Sequence, residues 1–444
     1  MIKETLGVQK NKLMNKIINT SNSGFPQEFE NLVNTNRSDD KDVKDVVAKI
    51  INDVRTKGDD ALIEYTNQLD RNELSKSNFI LDETAINNQT DGLPKKICKA
   101  IQTAADRVRT YHEKQLPQDL SFNDNLKSTL GYMWKPLETA GIYVPGGTAS
   151  YPSTVLMNAI PAMVAGVKDI VMATPLTDGQ INPSVLYAAK IVGIKKIYCM
   201  GGSQAVAAMA YGTESVAPVN KIVGPGNIYV AEAKRQVSGF VGIDMFAGPS
   251  EIVVISDQNS DPKIISADLI AQSEHDKSAQ SILITTDQAL AEAVEKEVPS
   301  QLASLPRKEI ASASWDSNGK IIVVRDLKEA FDISNQLAPE HLELAIDNAR
   351  DFLKYIVNAG AVFLGRNTPE ALGDYVAGPS HVLPTSRSAK FSSGLSVFDF
   401  LKKISLVEFT KEGIEEIGNS AMTIADNEGL DGHSRSIEYR LTKK

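Results

Sequence analysis

Short apolar runs alternate with amphipathic segments along residues 169–364, and this alternation limits the possible folds more than any other feature. In the first half of the region, runs typical of strands are separated by helical segments: DIVMAT, PSVLYAAKIVG, KKIYCMGG, SQAVAAMAYG and NKIVGPG. The first helical segment begins with proline and ends with glycine, as helices commonly do. Because parallel strands are usually joined by a crossover helix, the order βαβαβ predicts a parallel sheet covered by helices.

The same alternation resumes after residue 248. The segments are EIVVISD, PKIISADLIAQSEH, SILITT, DQALAEAVEKEV, NGKIIVV and GAVFLG. Upstream, residues 41–68 show apolar positions at helical spacing with a break at Gly58, and residues 94–115 show another helical pattern. The pattern predicts an α/β protein with two doubly wound, Rossmann-like parallel-sheet domains, a helical N-terminal arm and a small C-terminal extension.

The predicted boundaries divide the chain into four parts. The arm covers residues 1–35, and the first, discontinuous domain joins 36–143 to 250–393. The second domain covers residues 144–249, and the C-terminal extension covers 394–444. The length of 444 residues fits two or three domains, each able to bury a core of its own.

The charge and the apolar pattern exclude several kinds of partner. The formal net charge is −9 and there is no long basic run, which argues against nucleic acid and anionic membranes. The longest apolar stretch, VLMNAIPAMVAGV, is too short for a membrane span, and the lysine-rich N-terminus is not a secretory signal. Two cysteines, Cys98 and Cys199, cannot form a disulfide framework, so a cytoplasmic location is expected.

Two glycine-bearing turns follow predicted strands, at GGSQ (201–204) and GPGN (224–227). In open α/β sheets, ligands bind beyond the carboxyl ends of the strands, and glycine lets the backbone approach them. The chain contains no G-x-G-x-x-G motif, so a dinucleotide site here would be non-standard. The residues alone leave open whether these turns bind a nucleotide or only connect strand to helix.

Four of the five histidines lie in the last 170 residues, each in a stretch that holds an acid or an amide. In DLIAQSEHD, Gln272 and His275 are three residues apart on a predicted helix, and Asp268 lies one turn before Gln272 on the same face. An imidazole with an oxygen donor at this spacing predicts part of a metal site.

Two further stretches supply histidines, GDYVAGPSHVLPT with Asp374 and His381, and EGLDGHSRS with Glu428, Asp431 and His433. Because none of these stretches holds a cysteine, the ligands would be imidazole and oxygen, which suit zinc or manganese. Spacing alone leaves His381, Asp431 and Glu428 open as ligands. A polar tail close to the chain end is expected to be ordered only if a metal or a partner subunit holds it.

LAPEHLEL (337–344) places Glu340 and His341 side by side within an apolar segment. Neighbouring side chains diverge on a helix or a strand, so the two are not expected to be each other's partners. Buried charge is costly unless it is paired or used, which predicts that the pair carries chemistry and that each residue serves a different step.

Taken together, these motifs resemble the histidinol dehydrogenase family. The most specific stretch is KIVGPGNIYVAEAKRQVSGFVGIDMFAGPSEIVVI (221–255). Further motifs follow in the family's order: GIYVPGG, GGSQAVAAMAYGTESV, LIAQSEHD, LAPEHLEL, GDYVAGPSHVLPT and EGLDGHSRS. The resemblance extends from about residue 30 to residue 440.

The resemblance implies a zinc-dependent homodimer with a shared active site, which oxidises L-histidinol to L-histidinaldehyde and then to L-histidine with two NAD⁺. This is the last step of histidine biosynthesis. It implies one Zn²⁺ per subunit, held by Gln272, His275, Asp374 and, from the other chain, His433. Substrate contacts would add Ser250, His341 and Glu428 to these residues, and NAD contacts would fall on Tyr143, Gln204 and Asn227. The first domain would then carry the zinc and the catalytic residues, the second the NAD, and the extension would serve the partner's site.

The expected mechanism divides two proton transfers between two residues. His341, as a neutral imidazole, would accept the proton of the alcohol, and Glu340 would act as base for the water that adds to the aldehyde. Zinc would chiefly orient the substrate, although direct polarisation of the hydroxyl is a rival role. Thiol catalysis by Cys199 is not expected, because a cysteine in an apolar run is usually a small core residue.

Three alternatives remain from the sequence. The first is an NAD-dependent dehydrogenase acting on another small alcohol, the second a two-lobed binding protein without catalysis, and the third a metal hydrolase. The intact set of Gln272, His275, Asp374, Glu428 and His433 favours histidinol as substrate.

Overall fold

In the part of the chain that the structure describes, two six-stranded sheets carry most of the architecture, as the two series of apolar runs predict. The structure is a computed structural model. It describes residues 16–34, 41–70, 72–126, 128–146, 151–177, 179–245 and 248–441. Residues 1–15 and 35 of the predicted arm lie outside the described residues.

The helices and strands lie close to the predicted segments. The strands are, in chain order, β1 (Ile17–Asn19), β2 (Ile80–Leu81), β3 (Leu120–Asn123), β4 (Thr129–Pro136), β5 (Thr139–Tyr143), β6 (Asp169–Ala173), β7 (Ile197–Tyr198), β8 (Lys221–Val223), β9 (Gly242–Ile243), β10 (Glu251–Ser256), β11 (Gln280–Thr285), β12 (Lys320–Val323), β13 (His341–Ala345), β14 (Ala361–Leu364) and β15 (Leu401–Glu408). The helices are α1 (Phe25–Asn34), α2 (Lys41–Lys57), α3 (Asp59–Asp70), α4 (Glu83–Thr90), α5 (Lys95–Glu113), α6 (Pro152–Ala165), α7 (Pro183–Ile191), α8 (Gly202–Tyr211), α9 (Ile228–Val237), α10 (Pro262–Ser273), α11 (Gln288–Leu302), α12 (Lys308–Asn318), α13 (Leu327–Leu337), α14 (Glu370–Tyr375), α15 (Lys411–Asn427) and α16 (Asp431–Leu441). The predicted break between α2 and α3 is confirmed: Gly58 has a φ of +57°.

The first sheet has the strand order β1-β12-β11-β10-β13-β14, and all its pairings are parallel. Alternate residues of β10 enter two separate cores, Val253 and Ile255 on one face and Ile252 and Val254 on the other. The sheet is therefore covered by helices on both faces, which explains why its strands read as continuous apolar runs.

The second sheet has the order β2-β7-β6-β5-β8-β9 and is parallel except for β2, which pairs antiparallel with β7. The predicted division assigned residues 36–143 to the first sheet's domain. In the structure β2 and β5 are strands of the second sheet, and α2 packs on α8 and α9. The apolar face of α2, with Val47 and Val54, completes the core beneath α8. Apolar periodicity could not reveal this, because it identifies a buried face but not the sheet that covers it.

The N-terminal arm also differs from the prediction. Its described part begins with β1, which pairs with β12 at the edge of the first sheet, before the helix α1. The consecutive isoleucines Ile17 and Ile18 favour the extended conformation. Phe29 and Leu32 of α1 then enter the core on one face of this sheet.

The C-terminal extension is built on a third sheet of three antiparallel strands, in the order β15-β4-β3. β15 pairs with β4 along eight residues, from Leu401 opposite Pro136 to Glu408 opposite Thr129. α15 and α16 pack on each other. Large apolar side chains are exposed on this extension and on β3: Leu120, Phe122, Ile404, Leu406, Val407, Ile424 and Tyr439.

A helix that crosses a bilayer must be both long and apolar. Within the described residues, no helix combines the length and the apolar character that a membrane span needs.

Candidate active site

The segment LAPEHLEL joins α13 to β13, which lies between β10 and β14 in the first sheet. α13 ends at Leu337, and Ala338 takes a left-handed conformation with a φ of 45°. A proline follows, since it cannot continue a helix, and Glu340 then lies in a bend just before His341 opens the strand. Glu340 and His341 are both buried, at 6% and 4% exposure.

The two side chains of this pair lie closer together than the sequence suggests. His341 Nδ1 is 3.7 Å from Glu340 Oε2, whereas diverging directions were expected. The expectation assumed regular structure at both residues, but Glu340 precedes the strand. Both side chains bind the backbone of Glu251, the first residue of β10. Its N–H donates to Glu340 Oε2 at 2.9 Å, and its carbonyl accepts from His341 Nδ1 at 3.0 Å.

The contact with Glu251 fixes the state of the His341 ring. Because a carbonyl can only accept, Nδ1 carries the hydrogen and Nε2 keeps a free lone pair. Burial lowers the pKa of His341 to about 4, against the attraction of Asp374, so the ring is neutral at neutral pH. The free Nε2 lies 3.6 Å from Glu370 Oε1.

The same buried environment shifts the pKa of Glu340 in the opposite direction. Burial, followed by repulsion from Glu251 and Asp374, raises the pKa of Glu340 well above its ordinary value, although the Glu251 N–H opposes this. A carboxylate with a raised pKa is a stronger base once it has lost its proton. The pair thus provides two proton acceptors of different chemical character.

Gln272 and His275 lie at the carboxyl-terminal end of α10, beside the amino end of β11. The helix ends at Ser273, so His275 lies in the turn that follows it and not on the helix face that was expected. Gln272 is 1% exposed, and its Oε1 has no hydrogen-bond partner among the described residues. His275 Nε2 lies 3.6 Å from Asp374 Oδ2.

Asp374 lies on the short helix α14 and not in a loop, as its Gly-Pro neighbourhood had suggested. His381 contacts it: Nδ1 donates to the Asp374 carbonyl at 3.0 Å and lies 3.7 Å from Oδ1. Burial lowers the pKa of His381, which keeps its ring neutral. The segment after Asp374 reaches the second sheet's helices, where the Ser380 hydroxyl donates to the Met157 carbonyl of α6 at 3.3 Å.

Glu370 is a residue that the sequence analysis missed. It is 1% exposed, and single ligand atoms of His341, Glu370 and Asp374 all lie within 4.8 Å of one another. Burial, with repulsion from Asp374 and Asp268, raises the pKa of Glu370 to about 9. The i, i+4 spacing of Glu370 and Asp374 on one helix was the available signal.

Asp268 was expected on the face of Gln272, but it takes another partner. Its carboxyl is hydrogen-bonded to Glu343 of β13, and burial raises its pKa to about 6. Burial and Asp268 together raise the pKa of Glu343 to about 9. These two residues form a buried carboxyl pair beside the site, and the Glu370 N–H donates to Glu343 Oε2 at 3.4 Å.

His433 and Glu428 lie on the C-terminal extension. His433 is on α16, Glu428 follows the last residue of α15, and both are exposed. Among the described residues of one chain, no hydrogen bond or ion pair links His433 to Gln272, His275 or Asp374. A single chain therefore brings together His275, Asp374, Glu340 and His341, whereas the predicted fourth ligand, His433, is exposed on the extension.

The predicted NAD contacts lie at the carboxyl ends of the second sheet's strands. Tyr143 ends β5, and its hydroxyl accepts from the Gly202 N–H at 3.0 Å. Gln204 is fully buried in the first turn of α8, and neither atom of its amide has a hydrogen-bond partner among the described residues. Asn227 is exposed and caps α9, accepting from the Tyr229 and Val230 N–H groups at 3.1 Å each.

Gly224, in the turn GPGN, shows why glycine is needed at this edge. Its φ is +114°, and a Cβ there would come within 2.1 Å of the Tyr143 carbonyl oxygen. The ends of β5 and β8 can approach this closely only because residue 224 has no side chain.

Two other predicted residues can be placed. Ser250 directly precedes β10, and its carbonyl accepts from the Gln280 N–H at 2.9 Å. Cys199 is 1% exposed, and burial raises its pKa to about 12. A thiol so far from ionisation is a poor nucleophile, in agreement with the expectation against thiol catalysis.

Comparison with known proteins agrees with this geometry. The sequence matches the family described as histidinol dehydrogenase over residues 33–441. It is 51% identical to the histidinol dehydrogenase of Gluconobacter oxydans (strain 621H) over 428 residues, covering 96% of this chain and 100% of the relative. It is 50% identical to histidinol dehydrogenase 1 of Trichormus variabilis over 425 residues, covering 96% and 98%.

A solved structure gives the same result at the level of the fold. The crystal structure of histidinol dehydrogenase from Elizabethkingia anophelis superposes with a TM-score of 0.91 at 37% identity, covering 96% of this chain and 98% of the other. These matches span nearly the whole of both proteins. The chain therefore belongs to the histidinol dehydrogenase family of oxidoreductases.

Proposed function

We propose that this protein oxidises L-histidinol to L-histidine through L-histidinaldehyde, using two NAD⁺ and one Zn²⁺ per subunit. This would be the last step of histidine biosynthesis. The observation that carries the proposal is the buried Glu340–His341 pair, held by the Glu251 backbone and adjoining Asp374. The cytoplasmic location remains a prediction.

The residues present fit a divalent metal. Gln272 offers a buried amide oxygen without a hydrogen-bond partner among the described residues, and His275 and Asp374 add an imidazole and a carboxylate 3.6 Å apart. In this proposal Gln272, His275 and Asp374 hold the zinc with His433 of the other chain. When bound, the zinc orients the imidazole and amine of the substrate. Carbonyl groups at the end of α10 also favour a cation nearby.

The second sheet's edge fits a dinucleotide. Neither amide atom of Gln204 has a hydrogen-bond partner within the described part of the chain, and Gly224 provides close backbone approach beside Tyr143. These features support binding of NAD by Tyr143, Gln204 and Asn227 at the strand ends. NAD⁺ held there would supply the acceptor for the hydride that leaves the substrate carbon.

The proton transfers fall to this chain's own residues. His341 Nε2 accepts the hydroxyl proton of the alcohol, because Nδ1–H is already committed to the Glu251 carbonyl. Glu340, once ionised, accepts a proton from the water that adds to the aldehyde. Ser250, Glu428 and the metal-binding residues complete the substrate contacts, and His381 supports Asp374 through its carbonyl.

A homodimer with a shared site is supported by the C-terminal extension. The extension exposes several apolar side chains, among them Val407 at 64%, Ile424 at 60% and Tyr439 at 72%. Apolar groups gathered on one part of a surface commonly mark a protein interface. A second copy of this chain would cover them and bring His433 and Glu428 into the other active site.

One assay tests the reaction, and it also separates the alternatives left by the sequence. Purified protein with L-histidinol, excess NAD⁺ and a little Zn²⁺ is expected to form two NADH per histidinol consumed, followed by absorbance. Another small alcohol turned over in preference to histidinol would favour the related dehydrogenase. Absence of any NADH would contradict the proposal and leave the binding protein or the hydrolase.

The shared site has its own test. His433→Ala is expected to lose zinc and activity, and mixed dimers with a His341→Asn chain should recover part of the activity. Ser434→Ala on the same helix is the control and should keep its zinc. Zinc retained in His433→Ala but lost in Glu370→Gln would instead favour a site at His341, Glu370 and Asp374 within one chain.

A further inference from the structure

Arg387 is a buried cation that lies behind the catalytic pair. Its side chain is 4% exposed, its Nη1 lies 3.4 Å from Glu251 Oε1, and its Nη2 donates to Gln280 Oε1 at 2.6 Å. A buried guanidinium is costly unless it is paired and hydrogen-bonded. Its Nη2 also donates to the Leu32 carbonyl at 3.4 Å, and its position therefore depends on partners that include Glu251 and Gln280.

Glu251 connects Arg387 to both catalytic side chains. Its carboxylate accepts from the Ser386 N–H at 3.1 Å and pairs with Arg387. Its backbone N–H binds Glu340 and its carbonyl binds His341, at 2.9 and 3.0 Å. A shift of Glu251 would therefore move both proton acceptors together.

Gln280 extends the same arrangement to the neighbouring strand. It is the first residue of β11, and its N–H donates to the Ser250 carbonyl at 2.9 Å. Arg387 thus holds the first residues of two adjacent strands, beside a predicted substrate contact.

The backbone at Arg387 supports a functional interpretation. Ser386 and Arg387 have φ values of 53° and 67°, in the left-handed region that non-glycine residues seldom occupy. Such conformations persist where surrounding contacts hold them, and they concentrate at functional sites.

We propose that Arg387 is a positioning residue for the oxidation, which acts through Glu251 and Gln280 to orient Glu340 and His341. This inference rests on the proposed function. The proposed metal ligands lie on other elements: Gln272 on α10, His275 just after it, and Asp374 on α14. The loss of Arg387 should therefore disturb proton transfer and leave metal binding intact.

The test compares Arg387→Met with Arg387→Lys in the full-length protein. Arg387→Met is expected to lower kcat for histidinol and for histidinaldehyde by about 10- to 100-fold, since small misplacement of catalytic groups costs this much. The KM for histidinol and the zinc content should stay within about twofold. Arg387→Lys should recover part of kcat, because an ammonium still pairs with Glu251.

Arg366→Met is the matched control. Arg366 also holds residues next to two strands, through ion pairs at the opposite edge of the same sheet with Asp257 at 2.7 Å and Asp347 at 3.2 Å. The Arg366→Met variant should have a lower melting temperature but an unchanged kcat. If Arg387→Met does not fold, Arg387→Lys and Glu251→Gln carry the test, and each should lower kcat without loss of zinc.

The outcomes separate the two proposals. The role of Arg387 would be overturned by a wild-type kcat in Arg387→Lys and Glu251→Gln. It would also be overturned by an equal loss of kcat in Arg366→Met, or by a loss of activity that a changed KM or a lower zinc content explains. A wild-type protein that forms no NADH from histidinol would instead overturn the proposed function.

Discussion

In the proposed reaction, the first sheet contributes residues at the amino ends of its strands, here called the amino edge. The second sheet contributes residues at the carboxyl ends of its strands, the carboxyl edge. At the first sheet, Glu251 and His341 open their strands, so the catalytic pair lies at the amino edge. At the second sheet, Tyr143 ends its strand and Gly224 follows another, so the predicted NAD contacts lie at the carboxyl edge. Only the second edge follows the general rule for ligands in open α/β sheets.

The side chains at the two edges also differ in their chemical character. The amino edge holds buried titratable groups with displaced pKa values, such as His341 and Glu370. The carboxyl edge holds glycines and a neutral amide, Gln204. The first strand residue at an amino edge can turn its N–H to a side chain, as Glu251 does for Glu340. Under the proposed function, the first edge would serve proton transfer and the second would serve cofactor binding.

His341→Asn should have the largest effect, since it removes the one of the two proton acceptors at the amino edge that both half-reactions need. Both half-reactions are expected to slow by about 10²- to 10⁴-fold, the usual contribution of a general base. His112→Asn is the matched control, because His112 is a buried histidine on α5 whose Nδ1 binds the Val108 carbonyl at 2.8 Å. Single-turnover rates with histidinol and histidinaldehyde measure the effect, and equal losses in both variants would remove the special role of His341.

Glu340→Gln should separate the two steps within the amino edge. Aldehyde oxidation is expected to fall by about 10²-fold and alcohol oxidation by much less, because only the aldehyde step needs a base for water. Glu343→Gln, a buried carboxyl three residues later, should leave both rates near those of the wild type. Equal loss of both half-reactions in Glu340→Gln would refute the division of roles.

Gln204→Ala should act on the carboxyl edge alone. The KM for NAD⁺ is expected to rise by about tenfold, the cost of one hydrogen-bonded group, while the KM for histidinol stays unchanged. Gln236→Ala on α9 is the control, since its amide binds the Lys44 carbonyl at 3.0 Å. NAD⁺ affinity by calorimetry checks the result, and an equal change in histidinol binding would mean that the two edges do not act separately.

Glu343→Gln should have the smallest effect, on stability and not on rate. Burial raises the folded-state pKa of Glu343 to about 9, whereas the ordinary pKa of a glutamate is 4.5. The wild type is therefore most stable below pH 4.5, and its free energy of unfolding falls as the pH rises toward 9. Glutamine cannot ionise and avoids this loss. The variant should therefore become the more stable protein by about 1 kcal/mol at pH 8.5, but not at pH 5. Denaturant unfolding at both pH values measures it, and a constant difference would contradict the assignment.

The sequence predicted the class of fold because buried strands and crossover helices leave a regular apolar pattern. It did not predict that α2, β2 and β5 belong with the second sheet, since no local pattern records which sheet an amphipathic helix covers. The short edge strands β1 and β2 escaped for a similar reason, because two or three residues carry too little periodicity.

The sequence singled out Gln272, His275, Asp374 and Glu340–His341 through their residue types and the family resemblance, and their roles stay predictions. Glu370 and Arg387 were not found, because a buried acid and a buried cation resemble surface residues until the fold supplies their partners. Their importance depends on distances between remote segments. The contact between Arg387 and Gln280, 107 residues apart, cannot be read from spacing.

The pairing of β15 with β4 has a consequence for how active enzyme would assemble. Eight consecutive residue pairs attach the C-terminal extension to its own chain. Under the shared-site proposal, each tail is therefore already shaped before it meets the other copy, and association is the docking of two finished surfaces. Activity recovered after dilution and reconcentration should then follow second-order kinetics, with no slower concentration-independent phase from a tail that must still fold.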